Sequence, residues 1–185
     1  MEPQLILLFS GKRKSGKDFI CEKLRKTIGD DDCCIVRLSG PLKQFYAENH
    51  NLEWKELMSD GPYKEQYRTD MINWSDGVRK KDPGYFCKAA CQTAPSKKLW
   101  LVSDIRRKSD VKWFKMNYSN LKLIRISADL EVRQTRGYTF TKGVDDVESE
   151  CDLDDFKSWD LQLINNCQED SEKNIEEIMR SISYT

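Results

Sequence analysis

Eight residues near the amino end, Gly11-Lys12-Arg13-Lys14-Ser15-Gly16-Lys17-Asp18, carry the strongest chemical signal in the chain. They fit the phosphate-loop spacing G-x-x-x-x-G-K-[ST] at every fixed position except the last. Backbone N–H groups of such a loop cradle phosphate oxygens, and a lysine at the position of Lys17 reaches the outer phosphates of a nucleoside triphosphate. The spacing therefore predicts nucleotide binding by Lys12, Arg13, Lys14, Ser15, Gly16 and Lys17. The last position, ordinarily a hydroxyl touching Mg²⁺, is Asp18. A carboxylate there would add a hard oxygen ligand for the ion; the plainer alternative is a helix cap. Asp104 is a second metal candidate, because it ends the apolar run Leu99–Val102 and ligands in open α/β sheets collect outside strand ends. Pairing with Arg106 is its structural alternative.

A further group of cations follows strand ends or lies on a helical stretch between the second and third strands: Lys43, Lys64, Arg68, Arg79, Arg106, Arg107, Arg133 and Arg136. Arginine forks bind phosphates bidentately, so such a set suits an anionic acceptor. Between Arg133 and Glu150 the pattern becomes Thr-rich and Gly-containing, then acidic, as in a mobile loop that runs into a helix start. Asp145 and Glu148 have capping-box spacing, and the acidic run is read as a solvated, capped helix end rather than a calcium site.

The elements that must position these groups alternate. Leu5–Phe9 is a short apolar run closed by Ser10-Gly11, the pattern of a buried parallel strand. Ile20, Leu24 and Ile28 recur at helical spacing until Gly29. Cys34–Leu38, Leu99–Val102, Leu123–Ile126 (with Arg125 facing outward) and Leu161–Ile164 read as further strands. A helix is expected near 42–48, after a Ser39-Gly40-Pro41 turn. The segment 51–90 reads as helical, with Tyr63, Tyr67, Met71 and Trp74 in one stripe and a break at Asp82-Pro83-Gly84. Lys112–Tyr118 is a further helix, and Ile175, Ile178, Met179 and Ile182 make the apolar face of the last. This order predicts an α/β fold of three layers around a mostly parallel sheet.

Composition narrows the function. Lys+Arg and Asp+Glu number 31 each in 185 residues, which argues against binding nucleic acid or membrane by bulk charge. Seven cysteines without a C-x-x-C pair read as reduced thiols of a cytosolic protein. The amino-terminal apolar run is too short for a signal peptide or a membrane span. A monomer is expected.

Five stretches together resemble the animal-type phosphomevalonate kinase family: 7–18, Arg37-Leu38-Ser39-Gly40-Pro41-Leu42-Lys43, Asp82-Pro83-Gly84, Trp100–Asp104 with Arg106-Arg107, and Gly143-Val144-Asp145-Asp146 with Glu148–Cys151. The likeness runs from about Leu5 to Asn166, and Asp18 is part of the family pattern. It implies a nucleoside-monophosphate-kinase-like fold over 1–185, with an acceptor-binding helical region at about 40–98 and a lid at about 133–150. It implies transfer of phosphate from ATP, with Mg²⁺, to (R)-5-phosphomevalonate on the way to isoprenoids and sterols. Lys17, Asp18 and Arg106 become the catalytic candidates. Lys43, Lys64, Arg68, Arg79, Arg106, Arg107, Arg133 and Asn165 become acceptor residues, while Arg136 and Asn166 join the ATP site. Two features depart from the family: Lys88 stands where arginine is expected, and Ser183-Tyr184-Thr185 gives no support to peroxisomal import. A nucleoside monophosphate kinase would share the loop and fold, and a nucleotide-switched binding module would share the loop.

Overall fold

The computed structural model describes residues 2–59 and 61–183; Tyr184 and Thr185 of the terminal tripeptide lie outside the described residues. Five parallel strands, β1 (Leu5–Ser10), β2 (Cys33–Val36), β3 (Leu99–Val102), β4 (Leu121–Ser127) and β5 (Leu161–Ile164), form one sheet in the order β2-β3-β1-β4-β5. Every residue of β1 is buried, as a central strand covered on both faces requires. Its side chains alternate between two cores. Ile6 and Leu8 join Trp100, Val102 and Phe114 on one face, and Leu7 and Phe9 join Ile20, Leu24, Leu101 and Ile178 on the other.

Helices α1 (Lys17–Ile28) and α9 (Gln168–Ser183) cover the second face. Gly29 ends α1 at φ 98°, a conformation open to glycine but strained for other residues. On the first face lie α5 (Tyr85–Thr93) and α6 (Lys108–Asn117). Between β2 and β3 the chain builds a helical insertion from α2 (Ser39–His50), α3 (Trp54–Met58), α4 (Pro62–Lys81) and α5. The insertion has its own small core of Tyr46, Ala47, Leu57 and Met71, against which Tyr63, Tyr67 and Trp74 pack. The aromatic stripe thus serves packing, and the break at Asp82-Pro83-Gly84 separates α4 from α5. Short helices α7 (Leu130–Thr135) and α8 (Glu148–Cys151) flank the Thr-rich stretch. No described helix is long and apolar enough to cross a membrane.

The second strand ends at Val36 instead of Leu38, whose backbone is already helical before α2, and three further local expectations need correction. Helix α2 starts at Ser39 instead of after the Ser39-Gly40-Pro41 turn, because the Asp104 carboxylate accepts the N–H groups of Leu38 and Ser39 at 2.7 and 2.9 Å. Arg125 does not face outward: its guanidinium donates to Ser10 Oγ and Asp154 and stacks over Trp159, and burial lowers its pKa from the ordinary arginine value. Finally, Asp145 and Glu148 make no capping box. Helix α8 begins after Val147 without a side-chain cap, and Asp145 instead accepts the Thr141 N–H.

Candidate functional site

The loop 11–16 joins the buried end of β1 to the first turn of α1, so its position is fixed at both ends by core packing. Lys14 (φ 62°) and Gly16 (φ 86°) are left-handed while Ser15 between them is not, and alternation of this kind makes a concave anion nest of backbone N–H groups. Gly16 is required for a second reason: a Cβ there would collide with Asn165 Nδ2. Asn165, buried just beyond β5, donates that amide to the Ser15 carbonyl at 2.9 Å and accepts from Ser171. Asn166 next to it exchanges hydrogen bonds with Asp129 at the start of α7. Arg133 Nε and Arg136 Nη1, on and just after α7, donate to the carbonyls of Arg13 and of Lys14 and Ser15. The Tyr138 ring lies 4.0 Å from the Arg133 guanidinium carbon and 5.8 Å from that of Arg13. The structure therefore gathers Arg133, Arg136 and Asn165 around the loop, while Asn166 bonds to Asp129 and Asp170 instead; Arg133 and Asn165 do not line the cavity beside it.

That cavity, of about 540 Å³, opens outside the carboxyl ends of the adjacent strands β1 and β3, against the helical insertion. Lys17 enters it from α1, and Lys43 from α2. Lys64, Arg68 and Arg79 enter from α4, and Arg106 and Arg107 from the turn after β3. Arg37, which follows β2, completes eight basic side chains facing three acidic ones, Asp18, Asp104 and Glu150. Leu42, Met58, Met71 and Ile72 add an apolar wall. The position of Arg37 was open to inference, since it follows an apolar strand much as Asp104 follows Leu99–Val102. The apolar wall carried no signal distinct from the insertion's core.

The cations are held in place by acids. Lys17 Nζ is buried between the Ser103 carbonyl and Asp18 Oδ1, which lies at 2.8 Å. Arg79 pairs with Asp110 at 2.6 Å, and Arg68 with Glu65 at 2.6 Å. The Glu150 carboxylate takes the Arg106 guanidinium, whose pKa burial lowers against the opposing pull of Asp104. Arg107 binds Asp76 and, at 2.8 Å, Glu148. On the loop, Arg13 meets Asp145 at 3.0 Å, while Lys12 Nζ reaches Asp154 and the Glu150 carbonyl, both at 2.6 Å. The acidic stretch is accordingly not a solvated helix end. The side chains of Asp145 and Glu150 are only 5% and 7% exposed, and the run clamps the phosphate loop and Arg106. Lys14 is set on the loop by its backbone, and Lys88 sits outside the cavity beside Asp82.

The donors suit a small hard cation. Asp18 is 70% exposed and gives one oxygen to Lys17, while Asp104 gives both oxygens to the α2 backbone. The buried hydroxyls of Ser15 and Ser103 have no hydrogen-bond partner among the described residues, as at a site prepared for a polar ligand. Among the described residues no group of three or more His, Cys, Asp or Glu side chains converges. Any ion here must then rely on one or two carboxylates with phosphate oxygens and water, which is the manner of Mg²⁺ in nucleotide sites.

With this geometry in place, comparison with known proteins is informative. The family model for phosphomevalonate kinase matches residues 9–120. The chain is 49% identical over 173 residues to the phosphomevalonate kinase of Drosophila melanogaster, covering 90% of this chain and 91% of that protein. Among solved structures, TT1252 from Thermus thermophilus superposes with a TM-score of 0.55 at 16% identity, over 97% of this chain and 98% of that one. The Mycobacterium tuberculosis APS kinase CysC in complex with AMPPNP and APS gives 0.54 at 12% identity, over 98% and 99%. At such identities the structural likenesses speak for the α/β kinase fold alone.

Proposed function

The chain belongs to the phosphomevalonate kinase family, and from that premise we propose that it transfers the γ-phosphoryl group of ATP to (R)-5-phosphomevalonate, giving the 5-diphosphate and ADP in the mevalonate pathway. One observation carries this reading to the site: eight basic side chains from the two sides of a crevice converge beside a phosphate loop, around a cavity with an apolar wall. A phosphorylated, carboxylated five-carbon chain needs both features. Its two anionic ends call for cations, and its methyl and methylene groups call for Leu42, Met58, Met71 and Ile72. No aromatic side chain lines the cavity among the described residues.

The chemistry follows from charge. The attacking atom is an oxygen of the acceptor phosphate, whose second pKa of about 6 leaves it largely ionised near neutrality, so no general base is required. That oxygen forms a bond to Pγ as the bond from Pγ to the β–γ bridging oxygen breaks, and ADP carries away the electron pair. The barrier lies in bringing two polyanions together. Arg106, Arg107, Arg79, Arg68 and Lys64 neutralise and orient the acceptor, with Lys43 and Arg37 toward its other end. The loop N–H groups and Lys17 hold the ATP phosphates and stabilise charge on the transferred group. Arg133 and Arg136, already bonded to loop carbonyls, are the lid residues that close over ATP and exclude water. Asp18, with Asp104 behind it, would hold Mg²⁺, which when bound offsets phosphate charge. Seven unpaired cysteines suit a reducing compartment such as the cytosol.

The test is ADP release measured with phosphomevalonate, AMP, CMP or no acceptor. Acceleration by phosphomevalonate alone is expected. Acceleration by a nucleotide alone would assign a nucleoside monophosphate kinase, and slow turnover indifferent to every acceptor would assign a binding module.

A further inference from the structure

Asp110 does not line the cavity, yet it is bonded to three residues that do. It lies in the first turn of α6 and is 0% exposed. Its Oδ1 accepts from Arg79 Nη1 at 2.6 Å, and its Oδ2 accepts the backbone N–H groups of Arg106 and Arg107 at 3.0 and 3.1 Å. The Cys87 thiol adds a weak contact at 3.6 Å. A carboxylate this deep is costly to desolvate unless it is paired and fully hydrogen-bonded, and a packed apolar group often serves stability as well or better. Its bond to the Arg107 N–H also closes the capping box of α6, a stabilising role that does not call for the bonds to Arg79 and to the Arg106 N–H. Its bonds have a particular geometry: they tie the end of α4, which supplies Arg79, to the turn after β3, which supplies Arg106 and Arg107. These are two separate walls of one cavity. The Arg79 guanidinium is further restrained over the Phe86 ring at 5.1 Å.

We propose that Asp110 is a positioning residue for the acceptor, holding Arg79, Arg106 and Arg107 in one rigid frame that sets where the acceptor phosphate sits. The inference rests on the reading of this cavity as the acceptor site. It assigns Asp110 no contact with substrate, so its effect falls on acceptor KM and turnover and spares ATP.

Asp110→Asn keeps the shape and one accepting oxygen but loses the charge that grips Arg79. In the full-length protein the expected result is an acceptor KM raised about ten- to a hundredfold, as displacement by about 1 Å can produce, with the KM for ATP within about twofold. Cys87→Ala, which removes only the thiol contact, should leave both constants unchanged. A lower melting temperature with both KM values unchanged would overturn the proposal, as would equal rises in both. A wild-type protein without phosphomevalonate-dependent ADP release would instead overturn the reading of the cavity. Should Asp110→Asn not fold, Asp110→Glu keeps the charge while moving the carboxylate relative to Arg79 and the Arg106 and Arg107 N–H groups. It should raise acceptor KM selectively, and an unchanged acceptor KM in it would overturn the proposal equally.

Discussion

Replacing Lys17 with methionine removes one charge and little else. The side chains are of similar length, and Lys17 is buried, so its packing is largely preserved. Two hydrogen bonds go, to the Ser103 carbonyl and to Asp18. Losing a partner for a buried polar group costs about 1–3 kcal/mol, offset in part because an ammonium no longer has to be desolvated. The melting temperature should therefore move modestly. The kinetic effect is larger. At about 4 Å and an effective dielectric constant of about 20, one charge pair is worth roughly 4 kcal/mol. Loss of a preorganised donor to a developing oxyanion costs about 2.7–4 kcal/mol. Both routes predict that kcat falls about 10²- to 10³-fold. The KM for ATP should change only several-fold, because the loop N–H groups remain. Initial-rate measurements of ADP formation at saturating acceptor, with circular dichroism to verify folding, read this directly. A kcat within about fivefold of wild type, or a loss confined to the KM for ATP, would refute the role given to Lys17.

Three further outcomes follow from the same geometry. Gly16→Ala should weaken ATP binding and lower the melting temperature more than Gly137→Ala: both glycines have positive φ, at 86° and 82°, but only at Gly16 does the added Cβ strike Asn165. The left-handed backbone alone costs roughly 1–2 kcal/mol in each, so equal effects in thermal melts and ATP titrations would count against the Asn165 lock. Leu57→Ala, in the insertion's core, should destabilise by about 2–5 kcal/mol in denaturant titrations and raise acceptor KM before ATP KM. The Asp170 carboxyl is held below its ordinary value of 3.8 chiefly by the Asn166 N–H. Because its folded pKa is depressed, its stabilising effect is complete above about pH 5 and lost as pH falls through that lowered value. The melting-temperature gap between wild type and Asp170→Asn should therefore be full near neutrality and close in acid; a gap independent of pH would contradict this.

Much of the fold was legible because its signals are local. Leu99–Val102 and Leu161–Ile164 form the strands their apolar runs predict, and the spacing of Ile20, Leu24 and Ile28 marks the buried stripe of α1. What escaped was set by distant partners. The start of α2 depends on Asp104, 65 residues beyond Ser39. The acidic run from Asp145 is bound to Arg13, Arg106 and Arg107, which no pattern within the run reveals. Arg125 reads as an outward charge on a strand until Asp154 and Trp159 fold over it. In the site, Lys17 and the loop announce themselves by spacing. Nothing in the local sequence sets Asp110 apart from other first-turn acids, and its bonds to Arg79 and to the Arg106 N–H form only when α4 and the turn after β3 meet around it.

The central claim is that a phosphate oxygen of the acceptor attacks ATP in this cavity. It is tested most directly by following the γ-phosphoryl group of labelled ATP in a single turnover with (R)-5-phosphomevalonate. The label should appear in the terminal phosphate of a new diphosphate ester, in one-to-one yield with ADP. Label released as inorganic phosphate, or carried instead to AMP or CMP when these are supplied together with phosphomevalonate, would contradict it.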